Sequence, residues 1–417
     1  MEQKLAINGG SPVRKIPLPP FYPGSSMYDQ EEATGTTDVV SAKSPFRYYG
    51  PSCLGKTKQF ETTFAGKFEV EHALAVTSGT AAVIVALMGA GIGVGDKVIV
   101  PACTFIAAAG AVVCVGAVPV FADIDESLNL DPGDIERHID SHTKALICVP
   151  ILGNPCKMDE IMKIAKKNNL IVIEDTAQSC GSTYKGQYSG TFGDINTFSL
   201  QMNKIITTGE GGVVVTNNDK MYERAVRYHD QGMFREKEGD QEANEQDDAL
   251  IGQNYRMSEF TGAVALSQLE KLDIIISKMR KNKSQIKKGV LGTPGITFRT
   301  INDTAGEAGS ALVLLLETAE KSDSFRKAMA AENISLNYLY NGEPVYMQPQ
   351  IFYQHTADKS GFPFNQFDEP IIYTQDMCPN ARRIMSRNAV LNISPVWTEQ
   401  DNNDAIAAIK KVAAQVL

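Results

Sequence analysis

Two stretches of this chain carry no charged side chain: 23 positions at 73–95 and 25 at 98–122, parted only by Asp96 and Lys97. Close to fifty such residues must be hidden from water, in a bilayer or in a protein core. Either run is long enough to span a membrane. Yet Pro101, Gly110, Gly116 and Pro119 interrupt the second run, and glycine recurs through the first. Such breakers predict short buried elements, strand, loop, helix and strand, in place of a membrane span.

With 417 residues, at about 150 per domain, two or three domains are expected. The 40 basic and 49 acidic residues give a formal charge of −9, which argues against a nucleic-acid or anionic-membrane footprint. Seven scattered cysteines without a CxxC pair suit reduced thiols in a cytoplasmic compartment, not a disulfide scaffold or a zinc site. The opening MEQKLAINGGSPVRK lacks the apolar core of a signal peptide. The five histidines are far apart and none lies in HExxH, so no metal constellation is expected.

From residue 73 the pattern alternates. Strands are predicted at 97–100, 118–122, 144–151, 170–174, 198–200 and 213–216, with helices at 106–115 and 159–168. Apolar strands without alternation, separated by helices, predict an α/β fold with a mostly parallel sheet covered on both faces. Ligands then bind at the carboxyl ends of the strands. Residues 236–248 hold seven acids and read as a solvated loop or as a lid. Tyr255–Met279 reads as one long helix that could link two domains, and 400–416 as a terminal amphipathic helix.

Four local features fall at predicted strand ends. Ser78-Gly79-Thr80-Ala81 opens a helix and could cup a phosphate with its free amides and the helix dipole. An ordinary N-cap would use the same residues. Glu174-Asp175 closes an apolar strand. A carboxylate there could hold a protonated ring nitrogen, or cap a helix. Lys204 follows the Ser199 strand and precedes the glycine-rich 209–212. In a desolvated cleft such a lysine has a lowered pKa and can form a Schiff base, whereas in an open loop it is merely solvated. Asn254 precedes the long helix and could be its cap. Phosphate cup, strand-end acid and lysine, in that order on one sheet, are the equipment for pyridoxal phosphate.

The stretch EDTAQSCGSTYKGQYSGTFGDINTFSLQMNKIITTGEGGVVVT (174–216) resembles the signature of DegT/StrS-type sugar aminotransferases. SGTAA (78–82), GIGVGDKVIVPACTF (91–105), FADID (121–125), LNLDP (128–132) and GQNYRMSEFTGAVALSQL (252–269) match in the same order. The resemblance implies fold type I of pyridoxal 5′-phosphate enzymes: a large domain with a mostly parallel seven-stranded sheet and a smaller C-terminal α+β domain. An arm at 1–30, a large domain at 31–280 and a small one at 281–417 follow. Lys204 would carry the cofactor and shuttle protons, and Asp175 would bind the pyridine nitrogen. Gln178 would approach the 3′-oxygen, and Phe105 would stack on the ring. Thr80, the Ala81 amide and Ser199, with Ser78 and Gly79 in the same turn, would hold the phosphate. Asn254 would reach the phosphate of a neighbouring subunit in a homodimer.

The implied reaction moves an amino group from glutamate or glutamine to a keto sugar, often nucleotide-linked, or to a cyclitol. Two departures bear on the substrate. Pro150-Ile151-Leu152-Gly153 stands where the family usually has HLYG, and Gln201 stands where histidine is common. A dehydratase branch replaces the lysine with histidine, so Lys204 argues against dehydration. A dehydratase or other lyase, an idle cofactor-binding paralogue and a bare nucleotide site at the SGT turn are the alternatives.

Overall fold

A computed structural model describes residues 4–235 and 249–417. The acidic segment 236–248, expected as a loop or lid, lies outside the described residues. Most of the two charge-free runs is buried, the larger share in the main core of the large sheet. They supply β1 (His72–Val76), β2 (Lys97–Pro101) and β3 (Val118–Ala122), with the helices Gly79–Gly89 and Ile106–Cys114. β4 (Thr143–Cys148) and β5 (Ile171–Glu174) follow, then a short hairpin of β6 (Thr183–Tyr184) and β7 (Gln187–Tyr188). β8 (Asn196–Ser199) and β9 (Gly212–Thr216) complete the sheet.

Strands β3, β2, β4 and β5 pair in parallel in that order. β8 joins β5 through a parallel bridge between Asp175 and Thr197, the Thr176 amide donating to the Thr197 carbonyl at 2.8 Å. β9 is antiparallel to both β8 and β1. The array is thus a mostly parallel sheet of seven strands, ordered 3-2-4-5-8-9-1, in which β9 alone runs against the rest.

Alternate residues of the central strands reach opposite faces, as the pleat requires. Val98, Val100, Ile147 and Ile173 pack with the helices 79–89 and 106–114. Ile99, Leu146, Cys148 and Val172 pack with Met158, Ile161 and Ala165 of the helix Met158–Asn168. Both faces are covered, which explains the near-continuous apolar strands. Among the described residues, no helix is long and apolar enough to cross a membrane.

The structure corrects two readings of elements. The strand expected to reach Ile151 ends at Cys148, because Leu152 (φ 49°) and Gly153 (φ 80°) turn the chain into a left-handed conformation. The single helix expected at Tyr255–Met279 is two, Glu259–Glu270 and Leu272–Val290. The break is at Lys271, whose ammonium is drawn to Glu32 at 2.7 Å and Asp29 at 2.9 Å. The second helix runs through residue 280 without interruption.

Beyond it, β10 (Thr297–Phe298), β11 (Ala311–Leu315) and β12 (Asn388–Asn392) form a small antiparallel sheet. The helices Ala319–Ala331 and Glu399–Val416 pack beside it. The first residues of the chain are fastened to this unit. Buried Glu332 accepts the Ala6 amide at 2.9 Å, the Val13 amide at 2.8 Å and the Lys411 ammonium at 2.9 Å.

Burial alone would raise the Glu332 pKa, but the donated amides and Lys411 outweigh it and hold the carboxyl below its ordinary value. A depressed folded pKa stabilises at all pH above the unfolded value and is lost as pH falls through the folded one. Attachment of residues 4–19 should therefore weaken in acid. Glu332→Gln should cost about 1–3 kcal/mol, seen as a lower Tm and faster proteolytic clipping before Pro20.

Candidate active site

The carboxyl ends of β2, β5 and β8 face the small sheet across a cavity of about 750 Å³. Its floor is the turn from β1 into the helix Gly79–Gly89. Ser78 is extended there (φ −162°, ψ 165°) and caps the helix, its Oγ accepting the Ala81 amide at 3.0 Å. Gly79 and Thr80 hold the first two helical positions, whose amides have no acceptor within the helix, and the helix dipole adds positive potential.

Glycine is required at two points here. A Cβ on Gly79 would lie 2.6 Å from Ser199 Cβ, and one on Gly212 would lie 2.3 Å from the Ser78 carbonyl oxygen. Only bare backbone lets the helix end, β8 and β9 converge, and this puts the Ser199 hydroxyl beside the open amides. Such a cradle of open amides and hydroxyls suits an anion. The Ala81 amide, expected to serve it, is taken by Ser78, because capping and anion binding compete for the same donors.

Asp175 leaves the end of β5 and is buried. Its Oδ1 accepts the Ala177 amide at 3.2 Å in a turn, so it caps no helix. Burial raises its pKa, opposed by that bond and by the Lys204 ammonium nearby. Lys204 lies five residues past the end of β8, its amide held by the Gln201 carbonyl at 2.9 Å. Burial lowers the Lys204 amine, opposed by Asp175 and then Glu210. The two groups thus line one cavity and feel each other's charge.

Gln178 sits on the wall between large and small units. Its Nε2 donates to Tyr340 Oη at 2.7 Å, and its Oε1 accepts the Leu152 amide at 3.2 Å. The 151–153 turn is itself pinned by buried Arg299, which donates to the Ile151 and Leu152 carbonyls at 2.7 Å each. Burial pulls that guanidinium down to about 10, still charged at neutral pH. Leu152 reaches the cavity, while Pro150 is not among its lining residues. Phe105 stands at the mouth, 58% exposed.

Ser78, Gly79, Thr80, Phe105, Asp175, Gln178, Ser199 and Lys204 are thus brought together. Asn254 is not. It is exposed beside Asp230, with its Oδ1 accepting the Arg256 amide at 3.3 Å. Nor does Asn254 cap the helix that follows, since Ser258 does, accepting the Thr261 amide. Sequence reasoning missed the far wall: Ser310, Asn337, Tyr340 and Asn392, with Pro20–Tyr22 from the first segment. Only Tyr340-Asn341-Gly342 left a trace, as a turn signal.

Residues 50–410 match the model of the DegT/DnrJ/EryC1/StrS aminotransferase family. The chain is 39% identical over 333 residues to GDP-perosamine synthase of Escherichia coli O157:H7, covering 80% of this chain and 86% of that one. It is 35% identical over 320 residues to L-glutamine:2-deoxy-scyllo-inosose aminotransferase of Micromonospora echinospora, covering 72% and 74%. Among solved structures, 3-amino-5-hydroxybenzoic acid synthase superposes with a TM-score of 0.81 at 26% identity, covering 96% of this chain and 100% of that chain.

Gly79→Ala should push the helix end off Ser199, an overpacking strain of about 1–3 kcal/mol. Affinity for pyridoxal 5′-phosphate, followed by calorimetry, should fall by about ten- to a hundredfold, since each 1.4 kcal/mol is tenfold. Unchanged affinity would mean the cup is not where the anion binds.

Proposed function

We propose a transamination for this chain, which belongs to the DegT/DnrJ/EryC1/StrS aminotransferase family. It is an aminotransferase with the α/β fold type I. The amino group moves from glutamate or glutamine to the carbonyl of a keto sugar, often nucleotide-linked, or of a cyclitol. The names of its relatives, one giving GDP-perosamine and the other 2-deoxy-scyllo-inosose, support an acceptor that is a hydroxylated ring. The observation that carries the reading is a desolvated amine and a buried carboxylate in one cavity with an anion cup.

That donor set fits pyridoxal 5′-phosphate. The open amides and hydroxyls suit a phosphate, the buried acid suits a ring N–H, and Phe105 offers a flat face. When bound, this group supplies an aldehyde for amines and a ring that draws electrons from the carbon losing its proton.

The protein's own tasks follow. Ser78, Gly79, Thr80 and Ser199 hold the phosphate. Asp175 accepts the ring N–H and, being fixed at a strand end, sets the ring's position. Gln178, held by Leu152 and Tyr340, would approach the ring oxygen, and Phe105 would stack on the ring. Lys204 Nζ holds the cofactor between turnovers and carries the proton from the donor's α-carbon. It repeats that task in reverse on the acceptor. A neutral amine is needed for this, and burial favours it.

The dehydratase branch has histidine at this position, so Lys204 supports transfer. We read the active unit as a homodimer in which Asn254, exposed and outside its own cavity, reaches the neighbour's phosphate. The seven unpaired cysteines support a cytoplasmic setting.

Lys204→Ala should lower turnover by about 10²–10⁴-fold or more and let the cofactor dialyse away, whereas the wild type retains it. Since the Lys204 pKa is lowered, the wild-type rate with glutamate should climb with pH through a value below the ordinary lysine range, then level. Asp175→Asn removes the attraction that favours the ammonium form. Its ascending limb should move to lower pH while kcat falls by about 10²-fold or more. A limb that moves upward would contradict this pairing.

A further inference from the structure

Apart from Tyr340, which holds Gln178, the polar side chains of the cavity's far wall have no task in the steps assigned above. Ser310 directly precedes β11, Asn392 ends β12, and Asn337 is bonded through its backbone to Val390 of β12 at 2.8 Å in both directions. All three line the cavity from the small sheet, while Thr104 lines it from the end of β2. Ser310 is 4% exposed and Thr104 2%, yet neither hydroxyl has a hydrogen-bond partner. A buried hydroxyl without a partner is destabilising and rare, so each calls for a group that enters the cavity. Beside them Tyr340 Oη accepts from Gln178 and keeps its own proton to donate.

Each of these five polar side chains is neutral and able both to give and to accept a hydrogen bond. A ring hydroxyl has that same double character. A phosphate or carboxylate, which only accepts, is matched instead by the cup across the cavity. We infer that Thr104, Ser310, Asn337 and Asn392 form the subsite that reads the hydroxyls of the acceptor ring. This rests on the transamination reading above, and it assigns specificity to side chains that leave the cofactor alone. The cofactor's holders come from the large sheet and its helix, whereas three of these four come from the opposing one.

The test uses the holoenzyme and its Ser310→Ala, Asn337→Ala and Asn392→Ala variants, with the two half-reactions followed separately. Glutamate and glutamine serve as donors. GDP-4-keto-6-deoxymannose and 2-deoxy-scyllo-inosose serve as acceptor probes for a nucleotide-linked and a free ring. Each variant should raise KM for the accepted probe about tenfold, with kcat, the donor half-reaction and cofactor affinity unchanged. Ser310→Ala should leave Tm unchanged or raise it, since the deleted hydroxyl bonds nothing in the protein. Asn337 is exposed, so its variant tests the wall without touching the core.

Equal losses in both half-reactions, weaker cofactor binding, or no change toward the acceptor would each overturn the subsite. A wild type that takes nitrogen from a donor but passes it to neither ring overturns the hydroxyl assignment and leaves transamination standing. One that takes nitrogen from no donor overturns transamination, and this inference with it.

Discussion

Two opposite charges withdrawn from water, on Asp175 and Lys204, are what the rest of the site is arranged around. Burial pushes the acid up and the amine down, so each drifts toward its neutral form, while their mutual attraction pulls both back. Neither group is locked into a short ion pair that would satisfy it. Among the described residues Lys204 makes none within 4 Å. The pair is therefore held in readiness by the fold. The strand end fixes the acid, the tight loop after β8 fixes the amine, and the glycine contacts at 79 and 212 bring the anion cup up to both.

What was legible in the sequence was local. The strands of the large sheet are runs of β-branched and small residues closed by breakers, and their burial pattern is printed in the absence of charge. Asp175 and Lys204 were legible because strand ends are where such sheets bind ligands. What escaped has its cause far away in the chain. Helical periodicity continues through Lys271, and nothing nearby says that Glu32, 239 residues earlier, will draw its ammonium aside. The 151–153 turn is set by Arg299, 148 and 147 residues later. The Ala81 amide, which bonds Ser78 Oγ, raises a different matter. A capping serine and an anion ask for the same amides, and sequence cannot say which is served first.

The far wall was the least legible part. Ser310, Asn337 and Asn392 are small polar residues scattered over 80 positions, with no spacing that marks them as a set. They become one surface only when two adjacent strands and the segment beside them are aligned. The loop with Pro150 shows the complementary case. A departure visible in the sequence places Leu152, not residue 150, on the cavity wall, with its left-handed backbone secured by an arginine from the other unit. Asp175 and Lys204 lie at or just past strand ends of the large sheet, whereas Ser310, Asn337 and Asn392 reach the cavity from the small one.

The direction of β9 has a consequence for how such a chain comes into being. Among the described residues the strand that pairs with β1 is β9, some 140 positions downstream. Until that late strand is synthesised, an apolar edge and the helix it feeds must wait unpaired, a situation that favours slow closure and off-pathway association. Because Gly212, at the head of β9, also abuts the Ser78 turn, maturation of the anion cup and closure of the sheet are one event. Such a chain would gain its ligand-holding turn only once β9 has docked against it.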